Sequence, residues 1–205
     1  MLFRPDRVLL HLSLALGALV VGSIVPARDS AAQTNSAAQA NDGLSVNVTR
    51  KGDIVKVRAE FAVSVSPSQA FAVLTDYDHM RDFLPGVVES KVIQRLPNRL
   101  VVSQSVRMKL VFLSVPVDSV RQVDLEPPTK LVSHALSGTV SKAEVTTTLT
   151  QVQGKTVVTY QSEATLNSWL PAGLGTSIIG THVREQLTHM RAEMLRRQGR
   201  DGSDR

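Results

Sequence analysis

The chain contains 205 residues, of which 42% are hydrophobic, 4% are aromatic and none is cysteine. This apolar content is typical of a folded domain and excludes disorder along the whole chain, and the lack of cysteine excludes disulfides, thiol nucleophiles and thiolate metal centres. Basic residues outnumber acidic ones by 23 to 18, a surplus too small to indicate a nucleic-acid-binding protein unless the charges cluster.

The N-terminal segment has the pattern of a secretory signal peptide. Two arginines precede an apolar run over residues 8–25, and a proline and small residues follow, which predicts cleavage after Ala32 or, alternatively, after Ala40. Without cleavage, the 18-residue run would be an anchor near the lower length limit of a membrane helix. We therefore expect a signal peptide at residues 1–32, a flexible leader at 33–43 and a periplasmic protein; the alternative is an inner-membrane anchor with the domain facing the periplasm.

The domain after the leader is predicted to open with a hairpin and two short helices. Apolar residues alternate strictly over residues 54–65, which predicts a half-buried strand, and a Lys-Gly-Asp turn joins it to an earlier strand over residues 44–49. Ser66 and Pro67 have the residue types of an N-cap and a first helical position. A second short helix is predicted over residues 78–83.

A series of strands and one long helix complete the predicted order. Short apolar runs separated by turn residues predict an antiparallel meander over residues 87–95, 100–112, 115–123, 131–136, 140–152 and 156–166. Apolar residues then recur at spacings of 4, 4, 3 and 4 from Ile179 to Met194. This spacing predicts an amphipathic helix of about five turns, with one face buried against the sheet. We expect residues 199–205 to be a disordered tail.

Two segments resemble a known family. They are AFAVLTDYDHMRDFLPGVVESKVIQR, residues 70–95, and HVREQLTHMRAEMLRR, residues 182–197, and they resemble extracytoplasmic bacterial members of the START-like or SRPBCC superfamily, in its polyketide cyclase and coenzyme-Q-binding START branch. The resemblance covers residues 44–198 and implies an α+β helix-grip fold: a curved antiparallel sheet wrapped around a long C-terminal helix, with two short helices after the first long strand. It specifies the fold and not the function, because the superfamily includes binding proteins, cyclases and transfer proteins.

The helix-grip fold implies a cavity between the sheet and the long helix, and strand parity predicts which side chains face it. The predicted inward faces are mostly aliphatic with a few polar side chains, which is typical of a site for a hydrophobic small molecule. The candidate cavity residues are Gln104, Val106, Met108, His134, Thr147, Tyr160, Ser162, Ile179 and Val183. We expect a START-like domain that binds, and transports or presents, a lipid, an isoprenoid or a quinone.

The alternative function is an enzyme of the cyclase or dehydratase type, acting on a polyketide-like or aromatic substrate in the same cavity through His134, Tyr160 and Gln104. General acid–base catalysis usually places a carboxylate or histidine with a shifted pKa against a second group, and the predicted inward faces carry no Asp or Glu. The sequence therefore favours a binding protein, and we assign no catalytic residue and no cofactor.

Two polar clusters lie outside the predicted cavity. The first consists of carboxylates with one imidazole: Asp76, Asp78, His79 and Asp82. Its spacing matches no known metal-binding loop, so we predict helix capping by Asp78 and no metal site. The second is basic: Arg191, Arg196 and Arg197. These arginines interact with the helix C-terminus or contact an anionic membrane; nucleic acid is not an expected partner, because few aromatic residues are present to stack on bases.

Overall fold

The structure is a computed structural model, and it describes residues 43–109, 114–140, 142–165 and 175–203. All of these residues belong to one compact unit of the chain, Gln39–Arg205. The predicted signal peptide therefore lies outside the described residues, as does most of the predicted leader. None of the helices in the described ranges combines the length and the apolar character that a membrane span needs.

The described residues form strands and helices in the order that the sequence predicts. The strands are β1 (Ser45–Lys51), β2 (Ile54–Val63), β3 (Val87–Leu96), β4 (Arg99–Lys109), β5 (Ser114–Glu126), β6 (Lys130–Gly138), β7 (Lys142–Val152) and β8 (Lys155–Thr165). The helices are α1 (Pro67–Leu74), α2 (Met80–Phe83), which directly follows a 3₁₀ turn at Tyr77–His79, and α3 (Thr176–Ser203). The predicted α+β class is thereby confirmed.

The strands form a single curved antiparallel sheet in the order β1-β2-β8-β7-β6-β5-β4-β3. Strand β2, which comes early in the chain, pairs with the last strand β8, so that Val63 lies opposite Thr156. Strands β3 to β8 follow one another as neighbours, as expected for strands joined by short turns. The sheet therefore presents one continuous inner face to α3.

Local sequence explains where α1 begins. The Ser66 hydroxyl accepts a hydrogen bond from the Gln69 backbone N–H at 3.2 Å, and the Gln69 side-chain oxygen accepts one from the Ser66 backbone N–H at 3.1 Å. This reciprocal pair is a capping box, and Pro67 occupies the first turn, where its missing N–H costs nothing. The predicted start of the helix is confirmed.

The hydrophobic core lies between the inner face of the sheet and α3. Alternate residues of β2 are buried, among them Phe61 and Val63, each 1% exposed, which confirms the predicted alternation. On α3 the buried apolar residues are Leu187, Met190 and Met194, at the spacings that predict one buried helix face. The predicted packing of this helix against the sheet is therefore correct.

Hydrogen bonds fix α3 at both ends of the core. Arg184 donates to the Leu44 carbonyl at 2.9 Å, Arg191 donates to the Ala62 carbonyl at 3.0 Å, and Gln186 donates to the Pro85 carbonyl. The helix continues through Ser203, so the prediction of a disordered tail from residue 199 is wrong for residues 199–203. Glycine at 199 weakens a helix by about 1 kcal/mol relative to alanine, and this cost does not end the helix.

Candidate functional site

A cavity of about 240 Å³ lies between the inner face of the sheet and α3. It is slightly smaller than most ligand pockets, which measure about 300–1,000 Å³, and larger than an engineered cavity of about 150 Å³ that binds benzene. Most of its wall is hydrophobic and comes from all layers of the fold, including Leu74, Met80, Leu84, Val106, Leu131 and Leu187. The wall therefore suits an apolar molecule of modest size.

Several predicted cavity residues line this space. They are Gln104 and Val106 on β4, Thr147 on β7 and Tyr160 on β8. Thr147 pairs directly with Tyr160, so the two side chains stand next to each other on the inner face. The predicted parity of these three strands is confirmed.

Other predicted residues face inward or pack nearby without lining the cavity. Met108 pairs with inward-facing Val115, and Ser162 pairs with inward-facing Val57, but the cavity wall that the described residues form includes neither side chain. On α3, Val183 packs against the hydrophobic core and Ile179 is half-buried one turn earlier. A binding role stays a prediction for these four residues, as it does for Gln104, Val106, Thr147 and Tyr160.

The prediction that His134 faces inward is wrong. His134 pairs with Gln122 on one side and with Glu144 on the other, which places it on the outer face. Its ring nitrogens lie 3.8 Å from a Glu144 carboxylate oxygen and 3.9 Å from an Asp124 carboxylate oxygen, and its side chain is 44% exposed. His134 is thus a surface histidine between two carboxylates.

The error concerns the parity of all of β6. Apolar residues occupy both parities of this strand, so alternation alone does not decide which residues are buried. The pairing with the neighbouring strands decides it. Leu131 lies opposite Leu125 and Thr147, and Leu131 and Ser133 are the buried residues of this strand. In addition, the register between β5 and β6 shifts near Val120, and such an irregularity changes which residues of the two strands lie opposite each other.

Sequence reasoning missed the most polar residue of the cavity wall, Arg121. Val115, Ser119, Arg121 and Val123 alternate along β5, and this parity was a signal that the arginine faces inward with the valines. The structure places Arg121 opposite Val102 and lining the cavity. Within the described residues, Arg121 forms no ion pair with a carboxylate.

A chain of hydrogen bonds holds the Arg121 side chain. Its Nη2 donates to the side-chain oxygen of Gln104. The Gln104 amide nitrogen in turn donates to the Ser90 hydroxyl at 2.9 Å and contacts the Met80 sulfur at 3.3 Å. Gln104 is therefore a positioning residue that couples the guanidinium to β3 and α2.

Burial favours the neutral form of two ionisable side chains of the cavity wall, Tyr77 and His182. Burial raises the pKa of the Tyr77 hydroxyl, the charge of Arg121 opposes this effect, and Tyr160 adds to it. Burial also lowers the pKa of His182, an effect that Glu185 opposes. Arg121 is therefore the fixed charge of the cavity wall, as far as the described residues form it.

The acidic cluster near α2 has a structural role. The Asp76 carboxylate contacts His79 and Arg197, each at 2.7 Å. The Asp78 carboxylate accepts the Val92 backbone N–H at 2.8 Å and a hydrogen bond from Arg95, so it ties the turn to β3 and does not cap α2 as predicted. Among the described residues, no three His, Asp or Glu side chains are arranged to hold a metal.

Comparison with known families identifies the superfamily. The model of the family described as polyketide cyclase / dehydrase and lipid transport matches residues 63–191, which is more than half of the chain. The chain belongs to this family. The resemblance predicted from the two sequence segments is therefore confirmed, while no curated protein matches the chain.

Solved structures share the fold of this family member. A fragment of a STAR-related lipid transfer protein from Xanthomonas axonopodis is 17% identical, with a TM-score of 0.66 over 77% of this chain and 96% of that chain. The Zhui aromatase/cyclase from Streptomyces sp. R1128 is 14% identical, with a TM-score of 0.59 over 70% and 95%. A START superfamily protein from Mycobacterium smegmatis is 11% identical, with a TM-score of 0.58 over 69% and 97%. At these identities the similarity shows the helix-grip fold alone.

Proposed function

We propose that this protein binds a hydrophobic small molecule in the cavity between the sheet and α3, and transports or presents it. The observation that carries the proposal is the cavity itself: a mostly aliphatic wall of about 240 Å³ with a few orienting polar groups. By comparison with the benzene-sized cavity, this volume holds roughly ten non-hydrogen atoms. A lipid, an isoprenoid or a quinone would place one end in it, and a smaller molecule would fit completely.

A pair of variants on β7 tests the proposal. Thr147 lines the cavity, whereas the next residue, Thr148, pairs with Thr159 on the outer face. We expect Thr147→Phe to fill the cavity and to lower the affinity for naphthalene, followed by fluorescence titration, by tenfold or more. The same side chain at the outer position, in Thr148→Phe, is expected to leave the affinity within about twofold, since successive side chains of a strand point to opposite faces of the sheet and Thr148 does not line the cavity.

The wild-type chain provides the decisive control. Native mass spectrometry of protein isolated from its own host is expected to show an apolar molecule bound to the chain, and this mass is expected to be absent for Thr147→Phe. A wild-type chain that neither carries an apolar molecule nor binds naphthalene saturably would contradict the proposal.

The alternative of a cyclase or dehydratase has less support. It requires His134, Tyr160 and Gln104 to meet in one pocket, and His134 lies on the outer face. No Asp or Glu belongs to the cavity wall that the described residues form, so a general base paired with these groups is missing from it. Binding without chemistry therefore fits the site better.

We also propose that the protein works in the periplasm, on the basis of the signal-peptide pattern at residues 1–32. Fractionation of the native host is expected to recover the protein in the periplasmic fraction, with an N-terminus at Gln33. Recovery of the full-length chain in the inner-membrane fraction would favour the anchored alternative, and recovery in the cytoplasm would contradict export.

The basic end of α3 makes contacts within the fold. Arg196 and Arg197 both bind the Glu193 carboxylate, Arg197 also binds Asp76, and Arg191 donates to the Ala62 carbonyl. These contacts supply a structural reason for the arginines, so they favour a role in the fold over contact with an anionic membrane.

A further inference from the structure

Two buried polar atoms of the cavity wall have no hydrogen-bond partner among the described residues. They are Arg121 Nε and Ser133 Oγ, and both side chains line the cavity. Val123 pairs with Ser133 across β5 and β6. Arg121, two residues before Val123 on the same face, is therefore the diagonal neighbour of Ser133, a separation that a long side chain spans. The two unused donors thus belong to diagonally neighbouring residues that line the same cavity.

The charge of Arg121 is also uncompensated. A guanidinium stays protonated in proteins, and a charge that is partly removed from solvent without a counter-charge is costly. No acidic side chain belongs to the wall that the described residues form, and Gln104, the hydrogen-bond partner of Arg121, is neutral. An anion bound in the cavity would supply the missing charge and accept the two unused hydrogen bonds.

We propose that the ligand is a monocarboxylic acid whose carboxylate binds Arg121 and Ser133 and whose apolar body fills the aliphatic part of the cavity. This inference rests on the proposed function and specifies the ligand class. A carboxylate carries one negative charge, which matches one guanidinium, and its two oxygens match two adjacent donors. A phosphate monoester carries a charge of about −1.5 to −2 at neutral pH, which a single guanidinium does not balance.

The size of the cavity limits the acid. Scaling from the benzene-sized cavity gives roughly ten non-hydrogen atoms, which is a carboxylate with one ring or a short chain. Tyr77 and Tyr160 lie in the wall near Arg121 and favour an aromatic body, because aromatic side chains stack well on aromatic rings.

A basic groove adjoins the cavity at His182. This groove of about 350 Å³ lies between β4 and the start of α3, and His182 lines both the groove and the inner cavity. Its charged side chains are Arg107, Lys109 and Glu185, so the two basic groups outnumber the one acidic group. Positive charge at the approach to a site raises the local concentration of an anionic ligand. The surface electrostatics of this approach therefore agree with an acid as the ligand.

Isothermal titration calorimetry with matched probes tests the inference on the full chain. The probes are 3-phenylpropanoate, its neutral analogue 3-phenylpropanamide and phenyl phosphate, each with about 11 non-hydrogen atoms and so of roughly the estimated size. We expect the wild-type chain to bind the carboxylate at least tenfold more tightly than the amide, since hydrogen bonds to charged groups are the stronger ones. We expect the same margin over the phosphate, because a single guanidinium leaves part of the phosphate charge unbalanced.

Variants assign the effect to the two side chains. Arg121→Met, which keeps the apolar stem, is expected to lower the affinity for the carboxylate by roughly 10- to 100-fold and that for the amide by less than about threefold. Ser133→Ala, which removes no charge, is expected to lower the carboxylate affinity by several-fold and keeps the test valid if Arg121→Met does not fold. The matched control Arg58→Met changes an exposed arginine on the outer face of β2 and is expected to leave all three affinities unchanged.

The outcomes separate the two proposals. Equal wild-type affinities for the carboxylate and the amide would overturn the carboxylic-acid inference and leave the binding function in place. Tighter binding of the phosphate would overturn it in favour of a phosphorylated ligand, and an unchanged carboxylate affinity in Arg121→Met would overturn the assignment to Arg121. Failure of the wild-type chain to bind naphthalene or any of the three probes would overturn both proposals.

Discussion

Glu193 on α3 gives the sharpest test of how the helix is held against the rest of the fold. It is 6% exposed, and its carboxylate accepts hydrogen bonds from Arg196 at 2.6 Å and from Arg197 at 2.7 Å. Arg197 also binds Asp76 at 2.7 Å, which connects α3 to the turn before α2. Glu193→Gln removes the central negative charge of this network and keeps the side-chain shape.

The magnitude follows from the protonation of Glu193. Hydrogen bonds from Arg196, and then from Arg197, lower the pKa of Glu193 from 4.5 to about 2, although burial opposes them. A difference of this size corresponds to about 3 kcal/mol of stability at pH 7. Because Arg196 is 47% exposed, solvent screening reduces the observable effect to roughly 2 kcal/mol.

The sign of the pH dependence is fixed by the lowered pKa. The stabilisation is fully present above the unfolded-state value of about 4.5 and is lost as the pH falls through the folded-state value of about 2. The difference between wild type and Glu193→Gln is therefore expected to be largest near pH 7 and to fall to less than half of that value at pH 3.

Urea unfolding followed by circular dichroism at pH 7, 5 and 3 measures this difference. Glu163→Gln is the matched control, because Glu163 forms an exposed ion pair with Lys56 at 2.8 Å, and such pairs contribute little. Equal stability of wild type and Glu193→Gln at pH 7, or a difference that grows as the pH falls, would refute the reasoning.

Two further predictions concern stability. Arg121→Met is expected to raise the melting temperature of the ligand-free chain by about 2–4 °C, since removing an uncompensated, partly buried charge outweighs the lost bond to Gln104 by about 1 kcal/mol; a lower melting temperature in calorimetry would contradict this. Gly138→Ala is expected to destabilise the chain by about 2 kcal/mol in urea unfolding, because Gly138 has a φ of +133° and an added Cβ would overlap the Asp118 carbonyl. Gly154→Ala, at φ +78° with open space around it, is the control and is expected to cost less; an equal cost would show that backbone strain alone is responsible.

Much of the cavity wall was predictable, because parity within one strand is a local property. In β4, β7 and β8 the buried and exposed residues alternate clearly, so Gln104, Thr147 and Tyr160 were correctly placed on the inner face. The same reasoning places Arg121 on the inner face, but this placement contradicts the general rule that charged side chains lie on the surface. Its inward position is explained by tertiary contacts: Arg121 donates a hydrogen bond to Gln104 and lines the cavity.

The register between strands and the contacts between distant segments were not predictable. In β6 both parities carry apolar residues, and only the pairing of Leu131 with Leu125 and Thr147 places His134 outside. The hydrogen bond between Asp76 and Arg197 joins residues 121 positions apart. A pattern within either local segment therefore does not predict the other residue as its partner.

The sequence by itself determined the order of strands and helices, the start of α1 at Ser66, the buried face of α3 and membership of the START-like superfamily. These features depend on periodicity, capping and short motifs, which act between residues near each other in the chain. The tertiary structure alone decided which polar groups meet in the cavity. Folding buries Arg121 Nε and Ser133 Oγ without giving either atom a partner among the described residues, and this physical mismatch is the basis on which we propose a carboxylic acid as the ligand.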